Sequence, residues 1–203
     1  MTLAGRFLFP ATALALTACA TAPEQLPSAA AAGNYILDPA HASVTWSISH
    51  AGLSQYTARF DDISGTLNFN PNAPETSSVD ISIASGSVNT GLPKFDETLR
   101  TEAKYFNASV YPEIRFTSTS AKKLTETTGT VTGNLSFRGT TLPVTLQTTF
   151  NGSGKSFGHP GDTLGFSATG IIKRSDFGMN TLLNFGIGDD VTLRIETEFN
   201  QAQ

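Results

Sequence analysis

Side chains able to move protons, hold metals or attack carbonyls are sparse in this chain. The three histidines, His41, His50 and His159, lie far apart, and none has an acid at metal-ligand spacing. The single cysteine, Cys19, excludes an internal disulfide. No G-x-S-x-G elbow, phosphate loop or G-x-G-x-x-G occurs. Residues 151–155 (NGSGK) lack the helix that a phosphate cradle needs and read as part of a Gly-rich loop over 151–161. Asp61-Asp62 and Asp189-Asp190 fall in turns and read as solvated acids. No cofactor, metal or catalytic residue is therefore expected. Two features still invite a functional reading. His50 shares parity with Val44, Trp46 and Ile48, so it faces inward, either as a neutral core or rim histidine or as a hydrogen-bonding partner for a ligand head group. Residues 173–180 (KRSDFGMN) place a charged turn before Phe177 and Met179. They form either a loop held by an Arg174–Asp176 ion pair or the mouth of an apolar cavity.

The elements around these residues are mostly strands. Val44, Trp46 and Ile48 alternate with Ser and Thr. After a turn at Ala51-Gly52, a run over 56–70 keeps an apolar face through a bend at Asp61-Asp62. Further alternating runs centre on Ile81, Phe116, Leu135, Leu146, Ala168 and Leu193. Eight strands, each apolar on one face and separated by turns, mean antiparallel sheet. A sandwich and a barrel both fit; the long bent run and the removal of exposed edges favour the barrel. Only 93–118 carries a helix signal. Phe95, Leu99, Ala103 and Phe106 form one stripe, which predicts a helix over about 95–106 lying across an open end as a plug or lid.

Composition narrows the function. The formal net charge of -4, with no Lys/Arg cluster, argues against nucleic acid. Phe dominates the aromatics, 14 against four Tyr and one Trp, which suits a dry interior or an apolar ligand. Arg6 and an apolar stretch over 7–18 read as an export signal too short to span a bilayer. Leu16-Thr17-Ala18-Cys19 resembles a bacterial lipobox, with a plain secretory signal and an incidental cysteine as the other reading. Residues 1–18 are thus the expected lipoprotein signal, 19–33 a lipidated Cys19 with a flexible Ala/Pro-rich tether, and 34–203 the folded domain.

A family enters on particular segments. Residues 35–43 (YILDPAHAS) lead to Trp46 and His50. They are followed by 60–65 (FDDISG), 99–118 (LRTEAKYFNASVYPEIRFTS), 133–146 (GNLSFRGTTLPVTL), 173–178 (KRSDFG) and 188–191 (GDDV). Together these resemble the YceI-like proteins, a polyisoprenoid-binding, lipocalin-like family of exported bacterial proteins. The resemblance implies an eight-stranded antiparallel lipocalin-like β-barrel around an apolar tunnel for an isoprenoid or acyl chain. Many members carry a His immediately before the Leu-Arg of the helical segment; Thr98 stands there in this chain, which implies a different head-group preference.

The expected lining comprises Trp46, Ile48 and Phe60 from early strands and Phe95, Leu99 and Phe106 from the helix. Phe116, Phe137 and Phe166 come from later strands, and Phe177 and Met179 from the charged loop. His50, Arg100, Arg174 and Asp176 are candidate polar anchors. The expected function is binding of a long-chain apolar ligand (polyisoprenoid, isoprenoid quinone or fatty acyl) for carriage, storage or sensing in the bacterial envelope. Expected partners are that lipid and the membrane, through an outer-membrane anchor at Cys19 on the periplasmic side. A homodimer is compatible with this reading. The alternatives are an enzyme acting on a lipid or stress metabolite, which needs a nucleophile–base pair, and a structural envelope lipoprotein with a packed interior. Cavity volume separates the last from the first.

Overall fold

The computed structural model describes residues 22–156 and 158–203. The expected signal segment and Cys19 lie outside the described residues. Eleven strands and one α-helix follow in order: β1 (Gly33–Leu37), β2 (Ser43–His50), β3 (Ser54–Phe60), β4 (Ile63–Phe69), β5 (Ser78–Ala84), β6 (Val88–Asn89), α1 (Pro93–Thr101), β7 (Glu113–Lys123), β8 (Thr128–Phe137), β9 (Thr140–Lys155), β10 (Asp162–Lys173) and β11 (Ile187–Gln201). Every strand pairing is antiparallel. The ring β1-β4-β5-β7-β8-β9-β10-β11 closes through β1 against β11, giving an eight-stranded barrel.

The excess over eight strands comes from broken staves. β1 and β2 lie end to end along one edge of β11, with Leu37 opposite Phe199 and Val44 opposite Ile195. A 3-10 turn at Pro39–His41 separates them, and Asp38 Oδ1 caps it by accepting the Ala40 N–H at 2.9 Å. β3 and β4 are halves of the run over 56–70, broken at Asp61-Asp62 where the sequence shows its bend. β1 escapes the alternation reading because it contributes only Tyr35 and Leu37 to the core. Two tight hairpin turns take left-handed backbone at both central residues, Ala51 (φ 54) with Gly52 (φ 68) and Arg138 (φ 50) with Gly139 (φ 76). That geometry matches the twist of the flanking strands.

Three expectations need correction. Residues 151–155 are strand rather than loop. β8 ends its pairing at Thr149, and beyond it the exposed edge of β9 is taken by the N-terminal segment. Glu24 and Ser153 exchange both backbone hydrogen bonds at 2.8 Å, which protects an otherwise bare edge. Residues 22–33, expected as part of a flexible tether, therefore lie on the barrel, with a 3-10 turn at Pro27–Ala29 and a buried Ala30. Finally, α1 stops at Thr101 instead of reaching 106. Glu102 is extended (ψ 134), and the chain doubles back: Phe106 N–H donates to Leu99 O at 3.0 Å, and Ala108 N–H to Arg100 O at 2.8 Å. Phe106 reaches the core from this return segment, not from the helix.

Candidate ligand-binding cavity

Strand alternation gives each stave one inward face, and those faces enclose a cavity of about 550 Å³. It runs the length of the barrel, from the β7–β8 turn and the N-terminal segment at one end to α1 and the β2–β3 hairpin at the other. Aromatic rings concentrate towards the two ends. At the α1 end the Phe106 centroid is 5.5 Å from Phe60, 5.8 Å from Phe137 and 6.5 Å from Trp46. Tyr56 meets Phe95 edge-on at 6.0 Å. At the other end Phe69 stacks on Phe150 at 6.0 Å, and Phe166 lies 5.3 Å from Phe150 and 6.1 Å from Phe199. Between them the wall is small or aliphatic apart from Phe116. Val44, Ile195, Ala168 and Thr148 sit side by side across four staves.

The cap at the α1 end is positioned by polar contacts outside the lumen. Asp96 Oδ1 accepts from both the N–H and the hydroxyl of Thr90, at 2.7 and 2.6 Å, which pins the first turn of α1. Arg138 on the β8–β9 turn donates to Phe177 O at 3.1 Å and Ala103 O at 3.0 Å, tying the return segment to the loop after β10. Arg174 is buried and donates only to carbonyls: Gly188 (2.7 Å), Met179 (2.6 Å), Thr181 (2.7 Å) and Ile187 (3.1 Å). Burial pulls the Arg174 pKa below its ordinary value, with Asp189 opposing. Burial works to raise Asp189 in turn, but the Ser175 N–H and hydroxyl, at 2.9 and 2.8 Å, together with Lys173 and Arg174, hold it below the usual carboxylate value. Asp189 is thus a structural acceptor rather than a solvated turn acid. Trp46 Nε1 and Tyr56 Oη, beside Phe95, are buried and find no hydrogen-bond partner among the described residues.

The structure brings most of the expected lining together. Trp46, Ile48, Phe60, Phe95, Leu99 and Phe106 line the cavity, as do Phe116, Phe137, Phe166 and Met179. His50 also faces it, but from an exposed rim position. Phe177 does not line it. The 3-10 turn at Arg174–Phe177 takes this ring off strand parity and packs it behind Phe137 at 5.4 Å. Arg100 is paired with Glu97 on the surface and takes no part in the wall. Asp176 is exposed, and the expected Arg174–Asp176 ion pair is replaced by the carbonyl cage. Arg174 borders the cavity, yet most of its donors are committed to that cage. Phe69, Phe150 and Phe199 also line the wall; strand parity carried to the far end of each run was the signal for them. Tyr105 lines it from the irregular return segment, where no periodicity exists to reveal it. Among the described residues no three His, Cys, Asp or Glu converge as a metal site.

Comparison with known proteins follows the same span. A family profile described as the YceI-like domain matches residues 35–199. A UPF0312 protein of Pseudomonas putida (strain GB-1) is 36% identical over 140 residues, which is 68% of this chain and 71% of the relative. A solved Campylobacter jejuni YCEI protein superposes with a TM-score of 0.67 at 31% identity, covering 74% of this chain and 88% of that one. A polyisoprenoid binding domain from Saccharophagus degradans, implicated in plant cell wall breakdown, shares the fold at a TM-score of 0.62 and 17% identity, over 85% of this chain and 100% of that one. The profile match runs from β1 to the end of β11, and so takes in every stave of the closed barrel: the chain belongs to the YceI-like family.

Proposed function

We propose that this chain is a binding protein that holds one long apolar molecule, an isoprenoid or acyl chain, lengthwise inside its barrel. The cavity carries the reading. Protein interiors are packed with few voids larger than a water molecule, whereas 550 Å³ lies within the range of ligand sites. An apolar cavity of this size left without a ligand forgoes the contacts its wall would make in a packed core, which costs stability. A ligand burying methylenes at about 0.8 kcal/mol each offsets that cost and favours long chains over short ones. The Saccharophagus relative's description as a polyisoprenoid binding domain supports the isoprenoid class. The wall's titratable groups sit towards its ends, His50, Tyr56, Tyr105 and Arg174 at one and Lys122, Lys123 and Glu126 at the other, which suits a binder better than an enzyme.

Native mass spectrometry and lipid extraction of the protein purified from its own envelope test the reading. A co-purifying prenyl or acyl species is expected; protein that emerges ligand-free and binds neither prenyl nor acyl probes refutes it. We also propose the envelope address: export, acylation at Cys19 and outer-membrane anchoring on the periplasmic side, with the lipobox-like Leu16-Thr17-Ala18-Cys19 as support. Cys19→Ser is expected to abolish metabolic labelling by a palmitate analogue, and persistent labelling would rule out lipidation there.

A further inference from the structure

The two ends of the barrel differ in what they show to solvent. At one end the wall is finished by Lys122, Lys123 and Glu126, with Lys123 paired to Glu126 at 3.2 Å and the N-terminal segment laid across the opening. At the α1 end large apolar side chains stand out instead. Leu53, at the tip of the β2–β3 hairpin, is 86% exposed; Phe185, in the turn before β11, is 78% exposed; Leu182 in that turn is 46% exposed and also lines the cavity. The two tips form one ridge, because Ala51 N–H donates to Gly186 O at 2.7 Å. Leu182 (φ 61) holds left-handed backbone outside any hairpin turn, a cost that non-glycine residues bear when the surroundings impose it, often at functional sites. Leu92, just before α1, adds a third apolar point at 58% exposure. Leu26 and Leu124 are exposed near the opposite end, where Lys123 and Glu126 flank Leu124 in the chain; ion pairs such as Lys104–Glu102 and Lys173–Asp190 occur at the α1 end too, but the ridge tips over 51–54 and 181–186 hold no charged residue.

We propose that this ridge is a membrane-docking surface, which seats the α1-end mouth of the cavity on a lipid bilayer, one facing away from the bilayer that an acylated Cys19 would hold at the Glu24 end of the barrel, so that a chain passes between bilayer and barrel without crossing water. The inference rests on the ligand-binding reading above and names the partner of that same cavity. A bilayer suits narrow apolar fingers beside an opening, which can sink past the head groups, better than a folded partner that needs a broad complementary face. Each methylene forced through water slows transfer about fourfold, so a long chain leaves such a cavity at a useful rate only against an apolar phase.

The test compares the full chain carrying Cys19→Ser with the same chain carrying Leu53→Ser and Phe185→Ser as well. Neither ridge residue lines the cavity, and both are exposed, so fold and equilibrium affinity for a fluorescent geranylgeranyl probe are expected to match within twofold. Transfer of that probe to phosphatidylethanolamine–phosphatidylglycerol vesicles (3:1) is expected to slow about tenfold for each ridge residue removed, and flotation of ligand-free protein with the vesicles to fall in parallel. Unchanged transfer and flotation would overturn the proposal. So would a wild-type dimer that the double variant converts to monomer with no change in transfer, since a second copy would then be the ridge's partner. A wild-type chain that fails to bind the probe refutes the cavity reading in the binding arm, while flotation still reports on the ridge separately.

Discussion

Ala168→Phe separates a ligand cavity from a packed core by the sign of its effect. Ala168 lies halfway along β10, faces the lumen, and is flanked in register by Thr148 on β9 and Ile195 on β11, which also line the cavity. In a packed interior an added ring forces neighbours off their rotamers and costs about 1–3 kcal/mol. Here it would enter open volume and bury apolar surface worth up to ~2 kcal/mol. The ligand-free variant should thus unfold in urea at the same or higher midpoint as wild type. The ring takes the place of about five methylene-sized groups of ligand, so binding should weaken by ~4 kcal/mol, roughly a thousandfold in Kd. Trp46 is the only tryptophan and lines the cavity, so titration of a delipidated sample with a prenyl or acyl probe can be followed by its fluorescence. A variant that loses 1 kcal/mol or more of stability while binding the probe as wild type does would refute the reasoning on both counts.

Other perturbations give equally definite outcomes. Arg174→Met leaves the carbonyls of Met179, Thr181, Ile187 and Gly188 without their donor and should destabilise by about 3 kcal/mol, seen as a fall in melting temperature of roughly 6–12 °C; a change under 1 kcal/mol would show that the cage is not structural. Asp189 titrates below its ordinary value, so its contribution is present above about pH 4 and lost as pH falls through its folded-state value; Asp189→Asn should flatten that acid limb in pH-dependent urea unfolding, and an unchanged limb would assign the acid sensitivity elsewhere. Gly133→Ala should cost about 1–3 kcal/mol, because its Cβ would meet Phe116 Cζ at 2.5 Å and the Thr117 carbonyl at 2.6 Å. Gly170→Ala should cost distinctly less, since it would meet only the movable Leu146 Cδ2 at 2.6 Å, with the backbone 3.6 Å away; equal losses in chemical denaturation would contradict this.

What could be read in the sequence follows from which forces leave a side-chain signature. Burial on one face of a strand writes an alternation, so the staves and most of their inward residues, Trp46 through Phe166, were legible. Backbone pairing writes nothing. The N-terminal segment has too few large apolar residues to announce itself, yet Glu24 and Ser153 exchange two hydrogen bonds. Irregular turns break the period that inference depends on. Phe177 lies four residues past the end of β10 and packs behind Phe137, while Phe106 reaches the core from a segment where the helical stripe had already ended. Arg174 shows the same limit for charge. An acid two residues away suggested an ion pair, but the four carbonyls that hold its guanidinium belong to a chain reversal that local spacing does not encode.

An eight-stranded barrel can be filled by its own side chains or can hold one ligand, and the placement of large residues decides which. Here the rings cluster towards the ends: Phe60, Phe106 and Phe137 under α1, and Phe69, Phe150, Phe166 and Phe199 opposite. Those clusters stabilise the barrel where turns and caps would otherwise leave it loose. The middle is kept open in two ways. Small or branched residues such as Val44, Thr148 and Ala168 reach only a short way into the lumen. Where a large side chain does occur on the wall, a glycine on the neighbouring strand receives it: the end of the Phe116 ring lies over Gly133, in space that any Cβ there would occupy. A ring laid against its own wall adds apolar surface to the lumen without filling it. Burial that a packed barrel would gain between its own side chains is therefore left for the bound chain, so ligand loss should lower stability as well as end function.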